Sequence, residues 1–144
     1  MDLLKNTYFT KLHVYSLAFF TVTSLLAYII PLAKIITNQN KLFKEYYYDN
    51  FNENLLFDFF LVGFYFIVFH YLKSITNLND HLLMTLICCS IATIAFVLIV
   101  HVFKNKKSFF YRWFTQAGLL RASTYDIILV NSMLFLYNHI LNKL

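Results

Sequence analysis

Apolar residues gather into four long runs separated by short polar stretches. The first covers residues 12–33 (LHVYSLAFFTVTSLLAYIIPLA), the second 55–72 (LLFDFFLVGFYFIVFHYL) and the third 82–103 (LLMTLICCSIATIAFVLIVHVF). The fourth, 122–141, is less clean and carries scattered polar side chains. Each lies near the ~20 residues that carry a helix across ~30 Å of hydrocarbon. Strands are excluded: an open sheet edge is unsatisfied in lipid, and four segments are far too few for a barrel. The pattern predicts an all-α integral membrane bundle of four transmembrane helices, a single domain over 1–144, with a short interfacial helix near 109–117 before the last span.

Loop lengths set the order of packing. Only KSITNLNDH joins the second and third runs, which predicts a tight antiparallel hairpin. The connection after the first run, KIITNQNKLFKEYYYDNFNEN, is longer and charged, and its Tyr46-Tyr47-Tyr48 is expected at headgroup level. Pro31 is expected to kink or end the first helix. Gly63 and Gly118 are the only glycines, so close helix approach falls to other small residues. Cys88, Ala92 and Ala95 form one such stripe, and Ser16, Thr23 and Ala27 another. The second run is aromatic on every side, which leaves open whether it meets lipid or a partner.

Composition agrees with a chain solvated by lipid. The sequence is 60% hydrophobic, 20% aromatic and 13% charged, where a soluble domain averages roughly 25% charged residues. The net charge of +5 is distributed as a topology signal rather than as a contiguous basic face, so nucleic acid is not an expected partner. With four spans, Lys5, Lys11, Lys73 and Lys143 share one side. Lys34, Lys41, Lys44, Lys104, Lys106, Lys107 and Arg112 share the other, with Arg121 nearby, which is therefore the cytoplasmic side or its equivalent. The first run is too long for a signal peptide and lacks a cleavage site, so no cleaved leader is expected.

Few polar residues interrupt the apolar runs. His13, His70, His81 and His139 fall at span ends on one face and His101 at the other, where imidazoles are comfortable at an interface. No haem, metal or other cofactor is expected from them. Adjacent Cys88 and Cys89 read as small packing residues. Asp58 and Asp126 lie just inside the second and fourth runs, where an unpaired carboxylate costs at least about 2.5–3.5 kcal/mol. Antiparallel order places both near Lys34, Arg112 and Arg121, so ion pairing among these five residues is the expected arrangement. On a helical wheel Arg112, Gln116, Ser123 and Asp126 fall within about 80° of one another, with Arg121 opposite. Either residues 109–117 form an interfacial helix that breaks near Gly118, or one long helix runs on with its arginines snorkelling to headgroups. The aromatic cluster Phe109, Phe110, Tyr111, Trp113 and Phe114 favours the first.

The stretch FFYRWFTQAG, the later Tyr125-Asp126 and the opening NLLFDFFLV of the second run together resemble small membrane proteins of nucleocytoplasmic large DNA viruses. The resemblance covers about a third of the chain and brings no catalytic residues. It implies placement in a virion's internal membrane, with capsid or membrane proteins as partners and the lipid bilayer as solvent.

These observations lead to a non-enzymatic protein with a structural or assembly role, alone or in an oligomer or larger complex. A small hydrophobic subunit of a mitochondrial respiratory or ATP-synthase complex, in the mitochondrial inner membrane, fits the composition about as well. A channel or transporter component is disfavoured by the lack of acids near span centres and of broken-helix Gly/Pro pairs. No nucleophile–base spacing, Cys/His metal motif or phosphate loop supports an enzyme.

Overall fold

A computed structural model describes residues 8–76, 81–103 and 106–144, and every regular element among them is helical. Helix α1, Tyr8–Ile29, widens into a π-helical turn over Leu25–Ile29. It stops at Ile29, two residues before Pro31, whose ring disfavours helical geometry at Ile30 (φ −113°). The chain then forms two short helices, α2 (Leu32–Thr37) and α3 (Asn40–Lys44), the latter running into a wide turn over Glu45–Asp49. Asn38 links them in the left-handed region (φ 54°), which asparagine tolerates better than most residues. Helix α4 is Phe51–Thr76 and α5 is His81–Phe103. Helix α6, Phe109–Arg112, also ends in a wide turn, Trp113–Ala117, and α7 covers Leu119–Lys143.

Three of these helices, α1, α4 and α7, are long and apolar enough to cross a membrane. The observed bounds differ from the predicted runs at several ends. The first helix begins earlier and stops at Ile29, while α4 extends a full turn beyond the apolar run on each side. Residues 109–117 are separated from α7 by Gly118 at φ 85° and ψ 138°, a conformation open to glycine alone without strain. The break expected near Gly118 is therefore present, and the single continuous helix is not.

The segment expected to be a charged loop is folded and largely covered. Ala33, Thr37, Leu42, Phe43, Tyr46 and Tyr47 are buried, and the Thr37 hydroxyl donates to the Ala33 carbonyl at 2.6 Å. Of the tyrosine run, all of which was expected at headgroup level, only Tyr48 is exposed. The signal was present in the sequence: Leu42, Phe43, Tyr46 and Tyr47 follow the i, i+1, i+4, i+5 spacing of an inward helical face.

Helix α7 is the axis of the bundle, packing on α1, α2, α4 and α5. Its covered stripe is Ala122, Tyr125, Leu129, Val130, Met133, Leu134 and Tyr137, spaced by threes and fours along one face. Helix α1 meets it with Val14, Ala18, Phe19, Val22, Thr23, Leu26 and Ala27 among its buried residues. The fully covered Ala18 and Ala27 let backbones approach. On α5, Thr85, Cys88, Cys89 and Thr93 are buried whereas Ala95 is exposed, so the predicted stripe is rotated toward the threonines; the side chain of Ala92 lies outside the described residues. Thr85 Oγ1 lies 3.5 Å from Asn131 Oδ1 of α7.

One close approach does use glycine. A Cβ on Gly63 would lie 3.3 Å from Tyr15 Oη, and the Tyr15 hydroxyl donates to the Phe59 carbonyl one turn earlier on α4. Gly63 thus makes room for a tyrosine of α1 to seat its hydroxyl on the α4 backbone.

Candidate functional site

Two short segments fold over the ends of α4 and α7 and create the most differentiated region of the protein. The wide turn Glu45–Asp49 lies against α4, and Trp113–Ala117 lies against α7. Arg112 clamps the segments together, its guanidinium donating to both carboxylate oxygens of Glu45, with Nη1 to Oε2 at 2.7 Å. Gln39 Nε2 adds a bond to the Gln116 carbonyl at 3.1 Å. Rings fill the space between: Tyr46 and Phe109 have centroids 4.5 Å apart, and Phe109 stacks on Trp113 at 5.7 Å. The Arg112 hydrogen bonds hold the Glu45 carboxyl below its usual range, and the same bonds raise the guanidinium.

The wide turn carries Tyr46 and Tyr47, both buried, as the adjacent Leu42 and Phe43 are one turn earlier on α3. The Tyr46 hydroxyl donates to Asp58 Oδ1 at 2.5 Å, and the Tyr47 and Tyr125 hydroxyls bond each other at 2.6 Å. Burial first, then the nearby Asp58 carboxylate, pushes the Tyr46 phenol well above its ordinary 10.0, so it stays protonated as the donor. Tyr47 is raised well above that value too, by burial and then by Tyr125. Asn54 Nδ2 closes the arrangement on the Tyr46 carbonyl at 3.0 Å.

Between these elements lies a cavity of about 60 Å³, room for roughly four water molecules. Asp58, Asp126, Thr93 and the tyrosines 46, 47, 65 and 125 line it, with Leu61, Leu129, Phe109, Phe110, Trp113 and Phe114. A few polar groups converging in a mostly apolar wall is the general character of a ligand site. Of these, Thr93, Asp126 and Tyr65 make no hydrogen bond among the described residues. Thr93 is 5% exposed with its Oγ1 unbonded, and Asp126 makes neither a hydrogen bond nor an ion pair.

The five residues expected to pair are therefore distributed otherwise. Asp58 takes a tyrosine hydroxyl, Arg112 takes Glu45, and Asp126 faces the cavity. Lys34 and Arg121 are exposed and make no ion pair among the described residues. The break at Gly118 puts Arg112 on a separate element from Asp126, and Arg121 projects from the far side of α7. Pairing two partly exposed charges also avoids desolvating a guanidinium in the bundle. Sequence reasoning missed Glu45, Tyr46, Tyr47, Thr93 and Trp113 as site residues: the spacing of Tyr46 and Tyr47 marks an inward face, but nothing local shows that these five meet at one cavity or clamp.

The described histidine side chains do not line this cavity. His13, whose Nδ1 lies 2.8 Å from the Phe9 carbonyl, His70 and His139 are exposed, and the side chains of His81 and His101 lie outside the described residues. Among the described residues there is no group of three or more His, Cys, Asp or Glu that could hold a metal. A wider groove at the other end of α7, about 720 Å³, is lined by Asn131, Ser132, Asn138, His139 and Asn142.

No protein-family model matches the sequence, and no curated protein and no solved structure matches it either.

Proposed function

We propose that this chain is a non-enzymatic four-span membrane protein with a structural or assembly role, its basic aromatic cap facing the cytoplasm or its equivalent. The observation that carries this reading is the outward apolar girdle. Phe20 of α1, Phe60, Phe64 and Ile67 of α4, and Phe135 of α7 are all exposed, as they would be against acyl chains. Helix α5 is read as the fourth span because its 23 residues pack on α4 and α7 while Ile91, Ile94, Leu98, Ile99 and Val102 face outward. Around the cap lie Lys34, Lys41, Lys44, Lys106 and Lys107, suited to anionic headgroups and to a partner protein's acidic surface. The resemblance of residues 109–118 to viral membrane proteins supports a virion's internal membrane as the location and capsid or membrane proteins as partners.

Single-cysteine labelling tests the topology. With Cys88 and Cys89 buried, Lys41→Cys should label only from the cytoplasmic side and Lys73→Cys only from the other. Labelling of both from one side removes the four-span reading. Cofractionation with purified virions supports the viral assignment, whereas comigration with a respiratory complex on a native gel replaces it with the organellar one.

A further inference from the structure

The cavity under α6 has a chemistry that a structural role leaves unused. Its carboxylates, Asp58 and Asp126, face one small space, where two negative charges repel unless a proton or a cation lies between them. Asp58 already accepts from Tyr46, but its second oxygen has lone pairs to spare. Asp126 has no partner among the described residues, and neither does Thr93 Oγ1, which is 95% covered and lines the same space. Acceptors with unused capacity on Asp58, Asp126 and Thr93 therefore converge, beside the Tyr65 hydroxyl, which also makes no hydrogen bond among the described residues. Trp113 and Phe110 add aromatic faces, which attract positive charge.

This set discriminates among cations. A hard metal ion takes six or more oxygens, whereas the hydroxyls of Tyr46, Tyr47 and Tyr125 are already engaged and the rest of the wall is largely aromatic and aliphatic. A primary ammonium carries three N–H donors, which the free oxygens of Asp126, Asp58 and Thr93 can accept, and its methylene tail suits the aromatic wall.

We propose that the cavity binds a small primary ammonium group, with Asp126 as its counter-ion, Asp58 and Thr93 as further acceptors, and the Trp113 ring over the cation. The chemistry is shared by a free alkylamine and by the ethanolamine headgroup of a lipid, and the cavity's volume fits the head rather than a longer body. The proposal goes beyond the structural role and does not depend on which membrane holds the protein.

The chain contains one tryptophan, and it lines the cavity, so emission reports occupancy directly. The full chain in maltoside detergent is titrated with ethylammonium chloride while Trp113 fluorescence is followed. A saturable change is expected, with none from sodium chloride or tetramethylammonium chloride at matched ionic strength. Asp126→Asn should weaken binding at least about tenfold, as loss of a charge-assisted hydrogen bond does. Thr93→Val should weaken it less, and it carries the comparison if Asp126→Asn loses helicity by circular dichroism. In vesicles containing phosphatidylethanolamine, an emission already shifted and insensitive to ethylammonium identifies the lipid headgroup as the ligand. Continued ethylammonium binding there identifies a free amine. The proposal is overturned if ethylammonium gives no saturable change, if sodium gives the same change, or if the folded variants bind as well as the parent.

Discussion

Helices α4 and α7 are nearly equal in length yet opposite in use. Helix α4 is the more apolar, with mean hydropathy 2.0 against 1.3, but it buries only Val62, Tyr65, Phe66 and Phe69. Helix α7 carries Asn131, Ser132 and Asn138 among its apolar residues and is the axis on which four other helices pack. In water the greasier helix would be the inner one. In a bilayer lipid tails solvate phenylalanine as well as protein does, so the most apolar helix can sit outside. Position then goes to the helix with small residues, staggered shapes and polar groups to satisfy.

The sharpest way to break this contrast is substitution on matching scales. Met133→Ala, at the fully covered centre of α7, should cost about 2–5 kcal/mol, as cavity-forming changes do. Phe60→Leu on the outer face of α4 should stay within about 0.5 kcal/mol. Chemical unfolding in mixed detergent micelles measures both; equal losses would mean that α4's outer face is packed against protein.

The next effect concerns the hinge that gives α7 its separate start. Gly118→Ala leaves the added methyl in open space but keeps the backbone at φ 85°, at a cost of about 1–3 kcal/mol. Trp113 fluorescence should shift as the cap loosens before the bundle unfolds. A single transition with the parent's midpoint would show that the break bears no strain.

A smaller effect is expected where α1 meets α4. Gly63→Ala brings a Cβ to 3.3 Å from Tyr15 Oη, so the ring must yield by a few tenths of an ångström, for about 1 kcal/mol. Tyr15→Phe removes the hydroxyl in the way, so the two changes should be non-additive in a double-mutant cycle. Strict additivity would place the ring elsewhere.

Smallest is the cap's ion pair, worth no more than about 1 kcal/mol at this exposure. Because Arg112 lowers the Glu45 carboxyl below its ordinary 4.5, the pair contributes fully above that value and is lost as pH falls through the lowered one. Glu45→Gln should therefore match an acidified parent in stability and respond less to acid between neutral pH and that range. An equal acid response in parent and variant would assign the effect to another group.

Much of the helical outline was legible along the chain. Three long apolar runs correspond to helices able to cross a membrane, Pro31 marks the end of the first, and Gly118 marks the start of the last. These features are readable because length, proline and glycine act locally on the backbone. The cap was missed as folded structure although Leu42, Phe43, Tyr46 and Tyr47 keep the spacing of an inward helical face, because the charges of KIITNQNKLFKEYYYDN make the stretch look like a solvated loop. Asp58 and Asp126 stood out by type and place, but their surroundings did not. Tyr46 reaches Asp58 from twelve residues away along the chain, and Arg112 reaches Glu45 across 67.

What the sequence determined by itself is the helical secondary structure, with three helices long and apolar enough to cross a membrane. Twenty-residue apolar stretches with little charge can satisfy their backbone only as helices in lipid. Tertiary structure alone decided which helix lies at the centre, which cation Arg112 serves as partner to Glu45, and where the unpartnered Asp126 points. Those outcomes depend on side chains from distant segments meeting at one end of the bundle, and no local pattern of residues encodes a meeting.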